Sequence, residues 1–213
     1  MATIHDLIRP IQRRFRARRM AEFARVFSVD AETRILDVGG TPFNWELIDV
    51  RPRVTLVNLD PKPTFAVPEN MRYVPGDACR LPFADGAFDI VYSNSVIEHL
   101  GTWEHQQMMA AEIRRVGRSY YVQTPSRSFP IEPHLVGLNM HALPPALHRS
   151  LIPVLTLHGW WHRPSLRVRN EFLSRIRLLS GSDVANLFPD ATLLRERFAG
   201  LTKSFVAFRA SRS

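Results

Sequence analysis

The sequence predicts an α/β chain whose centre is a doubly wound, mostly parallel sheet of seven strands closed by an antiparallel C-terminal hairpin. Three observations carry that expectation. Short β-branched or apolar runs recur at 34–38, 54–59, 71–74, 88–92 and 119–123. The stretch 103–116 between the last two has Met108, Met109, Ala111, Ile113 and Val116 at helical spacing. Glycines and acids fall just after the strands, at the end where such sheets bind ligands.

Taken in order, residues 1–30 read as a helical preface. Leu7, Ile8, Ile11, Phe15, Met20, Phe23 and Phe27 recur at roughly the helical period, and Pro10 is expected to divide the stretch into two helices. Residues 31–124 form the ligand-binding half: strand, glycine turn and short helix from Trp45, then strands ending at Asp60 and before Gly76. The helix over 103–116 stops at Gly117, a residue suited to ending helices. Residues 125–180 break the rhythm, holding seven of the 16 prolines and five of the 8 histidines, as an acceptor-binding insertion or lid would. In 181–213, Ser182 and Asp183 look like the N-cap of a helix running to Phe188, and 191–197 and 203–209 suit two antiparallel strands joined around Gly200.

Composition narrows the class of protein. With 45% hydrophobic and 23% charged residues the chain can build a full core, which excludes a disordered or collagen-like chain. Cys79 is the single cysteine, so no intrachain disulfide forms and a reducing, cytoplasmic compartment is expected. No run reaches the 18 or so apolar residues of a membrane span, and no signal-peptide core opens the chain. The Arg-rich start suits an exposed basic helix, with a transit peptide as the alternative. Net charge is +8, with arginines grouped in 9–25 and in 163–177, a balance that favours an anionic partner.

The chemistry starts at Asp37-Val-Gly39-Gly40-Thr41. Glycines at a strand-to-helix turn let backbone approach a ligand, and the turn lacks the G-x-G-x-x-G spacing of dinucleotide enzymes. Asp60 ends the second strand, 23 residues further on, where a carboxylate can accept both ribose hydroxyls. Asp77, in Gly76-Asp77-Ala78, follows the third strand and can take a donor such as an adenine amino group.

These stretches, with the run from Leu81 through Asp85-Gly86 and Phe88 to Ser93-Asn94-Ser95 and Glu98-His99, resemble the class I S-adenosylmethionine-dependent methyltransferases, in particular the ubiquinone and sterol methyltransferase-like group. The resemblance covers about 34–123 and 182–209 and implies a Rossmann-like fold with S-adenosyl-L-methionine as cofactor. It implies that Asp37 orients the methionine end, Gly39 and Gly40 line its backbone contact and Asp60 holds the ribose. It also implies that Asp77 and Ala78 flank the adenine, and that Ser93 or Asn94 closes the pocket below the sulfonium. The family's turn reads acid-x-Gly-x-Gly-x-Gly, whereas Thr41 and Phe43 stand at the second and third glycine places here.

Methyl transfer gains most from alignment, and a base is needed only where the acceptor must lose a proton. His134 and Glu132, after the fifth strand, are the leading candidates for that base, with His99 as a further one. The alternative for these residues is structural packing. His134, His141 and His148 recur every seven residues, with prolines between the last two, too spread for a metal, so no metal site is expected. Leu151 to Arg163, with Trp160 and Trp161, suits either a lid core or peripheral contact with the inner membrane face. The acceptor expected is a small molecule, a glycan or a lipid-linked compound, methylated at oxygen. A nucleic-acid methyltransferase is disfavoured because Ser93-Asn94-Ser95 replaces the Asn-Pro-Pro-Tyr-type tetrad, and a non-catalytic scaffold on the same fold is the other alternative.

Overall fold

The computed structural model describes residues 4–132, 137–138 and 175–210, with the backbone alone described at 4–12, 131–132 and 137–138. A helix α1 (Ile4–Val26) leads into strands β1 (Arg34–Val38), β2 (Arg53–Asn58), β3 (Met71–Pro75) and β4 (Phe88–Asn94). Helix α2 (Trp103–Val116), β5 (Gly117–Pro125), the two-residue strands β6 (Ile131–Glu132) and β7 (Gly137–Leu138), helix α3 (Gly181–Leu187), β8 (Thr192–Phe198) and β9 (Leu201–Arg209) follow. Seven strands make one mostly parallel sheet in the order β3-β2-β1-β4-β5-β9-β8, and β8 pairs β9 antiparallel. The Rossmann-like expectation therefore holds. β6 and β7 form a separate antiparallel pair.

The chain divides into two compact units. The first comprises Met1–Ser93, Glu112–Tyr121 and Arg209–Ser213. Here β1 lies between β2 and β4, in register Asp37 with Leu56 and Asp37 with Tyr92, and all three strands are buried almost continuously. Such continuous apolar runs are what a parallel sheet covered on both faces requires. Phe23 of α1 sits at the middle of an aromatic cluster, with ring centroids 5.9 Å from Trp45, 5.1 Å from Tyr92 and 5.4 Å from Tyr121. Each tilted aromatic pair adds about 0.5–1.5 kcal/mol beyond area burial. Helix α1 is thus fixed to the sheet by Met20 and Phe23, both 0% exposed.

One local expectation changes here. Pro10 does not divide α1, which is one helix of 23 residues. It lies in the second turn, where its missing donor costs a single hydrogen bond and leaves the packed half beyond Met20 untouched. Between β2 and β3 no helix forms; residues 59–70 are turns and bends, and Pro61, Pro63 and Pro68 withhold the donors a helix would need.

The second unit comprises Asn94–Ala111 and Val122–Phe208. Gln106, 0% exposed, ties it together: its amide donates to the carbonyls of Ile97 (3.0 Å) and Arg177 (2.9 Å), while the Arg177 guanidinium donates to Gln106 Oε1 at 2.6 Å. Helix α3 is capped by Ser180 rather than by Ser182 or Asp183. The Ser180 hydroxyl accepts from the Asp183 amide at 3.1 Å, and the Asp183 carboxylate accepts from the Ser180 amide at 2.9 Å. This reciprocal capping box satisfies two otherwise orphaned donors. Replacing Ser180 with Ala is expected to cost about 1 kcal/mol, read as a lower denaturant midpoint at unchanged slope.

Candidate cofactor site

The site is built where β1 ends. Asp37 is 0% exposed and its Oδ2 accepts a 2.9 Å hydrogen bond from the Trp45 indole N–H. Burial raises its carboxyl pKa from 3.8 to about 7, against the opposing pull of the Trp45 hydrogen bond. The other oxygen, Oδ1, is buried and has no hydrogen-bond partner among the described residues.

The glycines behind it have different duties. Gly39 takes a φ of 74°, the left-handed region, and its amide donates to the Val57 carbonyl at 2.8 Å. Gly40 is needed for space: a Cβ there would stand 1.9 Å from Asp37 Oδ2 and 2.0 Å from its carboxyl carbon. The Asn58 side chain donates to the Gly40 carbonyl at 3.0 Å and ties the end of β2 to the turn. Thr41, exposed, then leads into a 3-10 helix, Pro42–Leu47, in place of a regular α-helix. That helix buries Asn44, whose Oδ1 is a second buried acceptor without a described partner.

Two arginines of α1 reach the same region. The Arg16 guanidinium carbon stands 5.5 Å from the centroid of the Phe43 ring, the residue at the third glycine place. Its pKa is pushed down first by burial and then by the charge of Arg19, while Tyr92 acts in the opposite direction. Arg19 itself is only 5% exposed.

The rim residues fall as follows. Asp60 is exposed in the bend two residues beyond β2 rather than in the strand, and its carbonyl accepts a 2.6 Å hydrogen bond from the Tyr73 hydroxyl, whose pKa is raised by desolvation and by the Asp60 charge. Asp77 turns one carboxylate oxygen back onto the Cys79 amide at 2.8 Å, in a turn that places Ala78 half-buried beside it. Ser93, 0% exposed, spends its hydroxyl hydrogen on the Val38 carbonyl at 3.1 Å. Asp37, Gly39, Gly40, Thr41, Asp60, Asp77, Ala78 and Ser93 all belong to the first unit. Asn94 belongs to the second, where the next residue, Ser95, takes a φ of 56° and bonds Gln123 through both its amide (3.0 Å) and its hydroxyl (2.9 Å).

Of the three candidate bases, His99 is exposed on the 3-10 helix Ile97–Leu100, next to Glu98, which is 0% exposed and accepts from the Thr124 hydroxyl at 3.0 Å. Glu132 is described in backbone only, paired with Gly137. His134, His141, His148, Trp160 and Trp161 lie outside the described residues. Among the described residues no group of three or more His, Cys, Asp or Glu is placed to hold a metal, and no helix is long and apolar enough to cross a membrane.

Sequence reasoning missed Asn44, Trp45, Arg16 and Arg19 as parts of this region. A buried Trp whose indole N–H needs an acceptor, eight residues after a buried acid, is the signal that was available for the first pair.

A family model described as a methyltransferase domain matches residues 16–119. No curated protein matches the chain by sequence. Among solved structures, a Haloferax volcanii protein in complex with the Trm112 methyltransferase activator superposes with a TM-score of 0.53 at 13% identity, covering 94% of this chain and 92% of that one. The PH0226 protein of Pyrococcus horikoshii gives 0.53 at 14% identity, covering 88% and 85%. An SAM-dependent methyltransferase of Methanosarcina mazei gives 0.50 at 14% identity, covering 84% and 92%. At these identities the likeness is one of fold. The family model is that of a methyltransferase domain and does not single out the ubiquinone and sterol group.

Proposed function

We propose, on the premise that residues 16–119 form a class I methyltransferase domain, that this chain methylates an oxygen of a small-molecule, glycan or lipid-linked acceptor using S-adenosylmethionine. The observation that carries the reading is that two buried acceptors lack described partners on either side of the glycine turn, Asp37 Oδ1 in β1 and Asn44 Oδ1 in the 3-10 helix that follows. Buried polar atoms are rarely left so, and the α-ammonium group of an amino-acid end supplies the donors they lack. The half-buried Arg16 guanidinium, held over the Phe43 ring, complements its carboxylate. The exposed carboxylate of Asp60 suits the ribose hydroxyls, and the second oxygen of Asp77 suits the adenine amino group.

When bound, the cofactor supplies a methyl group on a sulfonium, whose departure as a neutral thioether needs no acid. The protein's own task is alignment. Ser93, locked to Val38, and Gly39, locked to Val57, give the pocket a fixed wall. A hydroxyl acceptor must also lose its proton, and His134, Glu132 and His99 are the residues we assign to that step. The sequence position of the first two, just after β5, supports the assignment.

Calorimetric titration with S-adenosylhomocysteine tests the reading, with NADH as the comparison ligand. The wild-type chain is expected to bind the first and not the second. Asp60→Ala is expected to weaken binding roughly 10- to 100-fold, the loss of charge-assisted hydrogen bonds, with an unchanged melting temperature. Equal affinity in the variant, or no binding by the wild type, would remove the assignment.

A further inference from the structure

The β8–β9 hairpin ends in a feature the cofactor site does not use. Its turn is two residues long, Ala199 at φ 48° and Gly200 at φ 81°, and it presents Phe198 and Leu201 directly opposite one another. They are 45% and 51% exposed, two of the few large apolar side chains in the described chain that solvent reaches so freely. Buried Phe129 backs Phe198 at 6.4 Å between ring centroids, so the tip is braced from within the second unit.

Cations surround this tip. Arg195 and Arg197 are exposed on β8, the edge strand of the sheet, and Lys203 stands on β9. Arg127, also exposed, is brought alongside because the amide of Ser126 donates to the Lys203 carbonyl at 2.9 Å. The acids nearby are engaged or remote. Glu196 accepts a hydrogen bond from the Ser204 hydroxyl, Asp183, whose charge Arg127 feels, is held by the Ser180 amide and lies 3.8 Å from Arg177, and Asp190 lies beyond the far end of β8. Arginines on an edge strand also deter strand pairing, but that duty does not account for an exposed Phe and Leu at the turn.

We propose that this hairpin tip seats the chain on an anionic lipid surface, with Phe198 and Leu201 entering the headgroup boundary and Arg195, Arg197, Lys203 and Arg127 meeting lipid phosphates. Charge complementarity selects that occupant: an apolar tip ringed by cations matches an acidic bilayer and repels a second copy of itself. The tip lies at the carboxyl end of β5, since β9 begins beside Ser126. A lipid-bound acceptor would therefore meet the chain at the end where the sequence places the acceptor residues. The proposal goes beyond the methyl-transfer reading and stands without it.

Co-sedimentation of the full chain with phosphatidylcholine vesicles, with and without phosphatidylglycerol, is the test. Binding is expected only when phosphatidylglycerol is present, and it should fall roughly tenfold or more in Phe198→Ser/Leu201→Ser and in Arg195→Gln/Arg197→Gln. Each variant's melting temperature reports that it is folded, independently of any cofactor. No vesicle binding by the wild type overturns the proposal. So does binding that the Arg pair reduces while the Phe/Leu pair leaves unchanged, because the apolar tip would then take no part. Binding unaffected by either pair would move the contact elsewhere on the chain and overturn it equally.

Discussion

Asp37→Asn is expected to stabilise the fold above neutral pH and to weaken cofactor binding, two effects of opposite sign from one substitution. The carboxyl is fully buried and its pKa stands at about 7 instead of 3.8. A native state that holds its proton more tightly than the unfolded chain loses stability as pH rises through the interval between those values. The penalty is therefore absent below about pH 4, grows towards pH 7 and is complete above it, on the order of 4 kcal/mol by linkage. Asparagine carries no such charge, so the variant's stability should be flat across that window while the wild type declines, as denaturant titrations at pH 5 and pH 8 would show.

Binding runs the other way. An ammonium group placed at Asp37 Oδ1 favours the ionised carboxylate, so S-adenosylhomocysteine should drive off a proton wherever the free site still holds one. Between about pH 5 and pH 7 the wild type is expected to bind more tightly as pH rises, and to release close to one proton at the lower end. Titrations in buffers of different ionisation enthalpy measure that release. In Asp37→Asn both the release and the pH dependence should vanish, and affinity should drop roughly 10- to 100-fold at pH 8. An asparagine variant with the wild-type pH profile would show that the proton belongs to another group.

The sheet was legible in the sequence because its strands are buried on both faces and therefore spell nearly continuous apolar runs. Ile35, Leu36 and Val38, or Val54, Leu56 and Val57, admit no solvated alternative. The acids at the end of β1 and after β2 and β3 were legible for a related reason: little but ligand chemistry or turn formation places a carboxylate there repeatedly. The connections were not. Helical periodicity does not separate a six-residue 3-10 helix at Pro42–Leu47 from an α-helix, and the prolines of 59–70 outweigh the architecture's habit of placing a helix between β2 and β3. Arg16 and Arg19 read as a solvated basic face, because periodicity shows which residues share a side and not which neighbour covers them. Only the packing of Phe23 against Trp45 and Tyr92 turns that side inward.

The tightest constraint in the site is steric, and Gly40→Ala is expected to cost the most stability. At Gly39 an alanine would mainly have to adopt the left-handed backbone, a penalty of about 1–2 kcal/mol at an exposed position. Gly40 has no such conformational demand. Its absent Cβ is the space that the Asp37 carboxylate fills, with Oδ1 at 2.3 Å and Oδ2 at 1.9 Å from where that carbon would stand. Something must move. Rotating the carboxylate away breaks its bond to Trp45 and leaves a buried indole donor unpaired, about 1–3 kcal/mol, while overpacking adds about 1–3 kcal/mol more. A chain of this size loses roughly 2–4 °C per kcal/mol, so a fall of about 10 °C in melting temperature is expected. The cause can be separated from a general intolerance of the turn. In an Asp37→Ala background the carboxylate is gone and the space is open, so adding Gly40→Ala there should cost little, a strong departure from additivity. If the alanine costs as much with the carboxylate absent as with it present, the clash between the two residues is not what keeps position 40 a glycine.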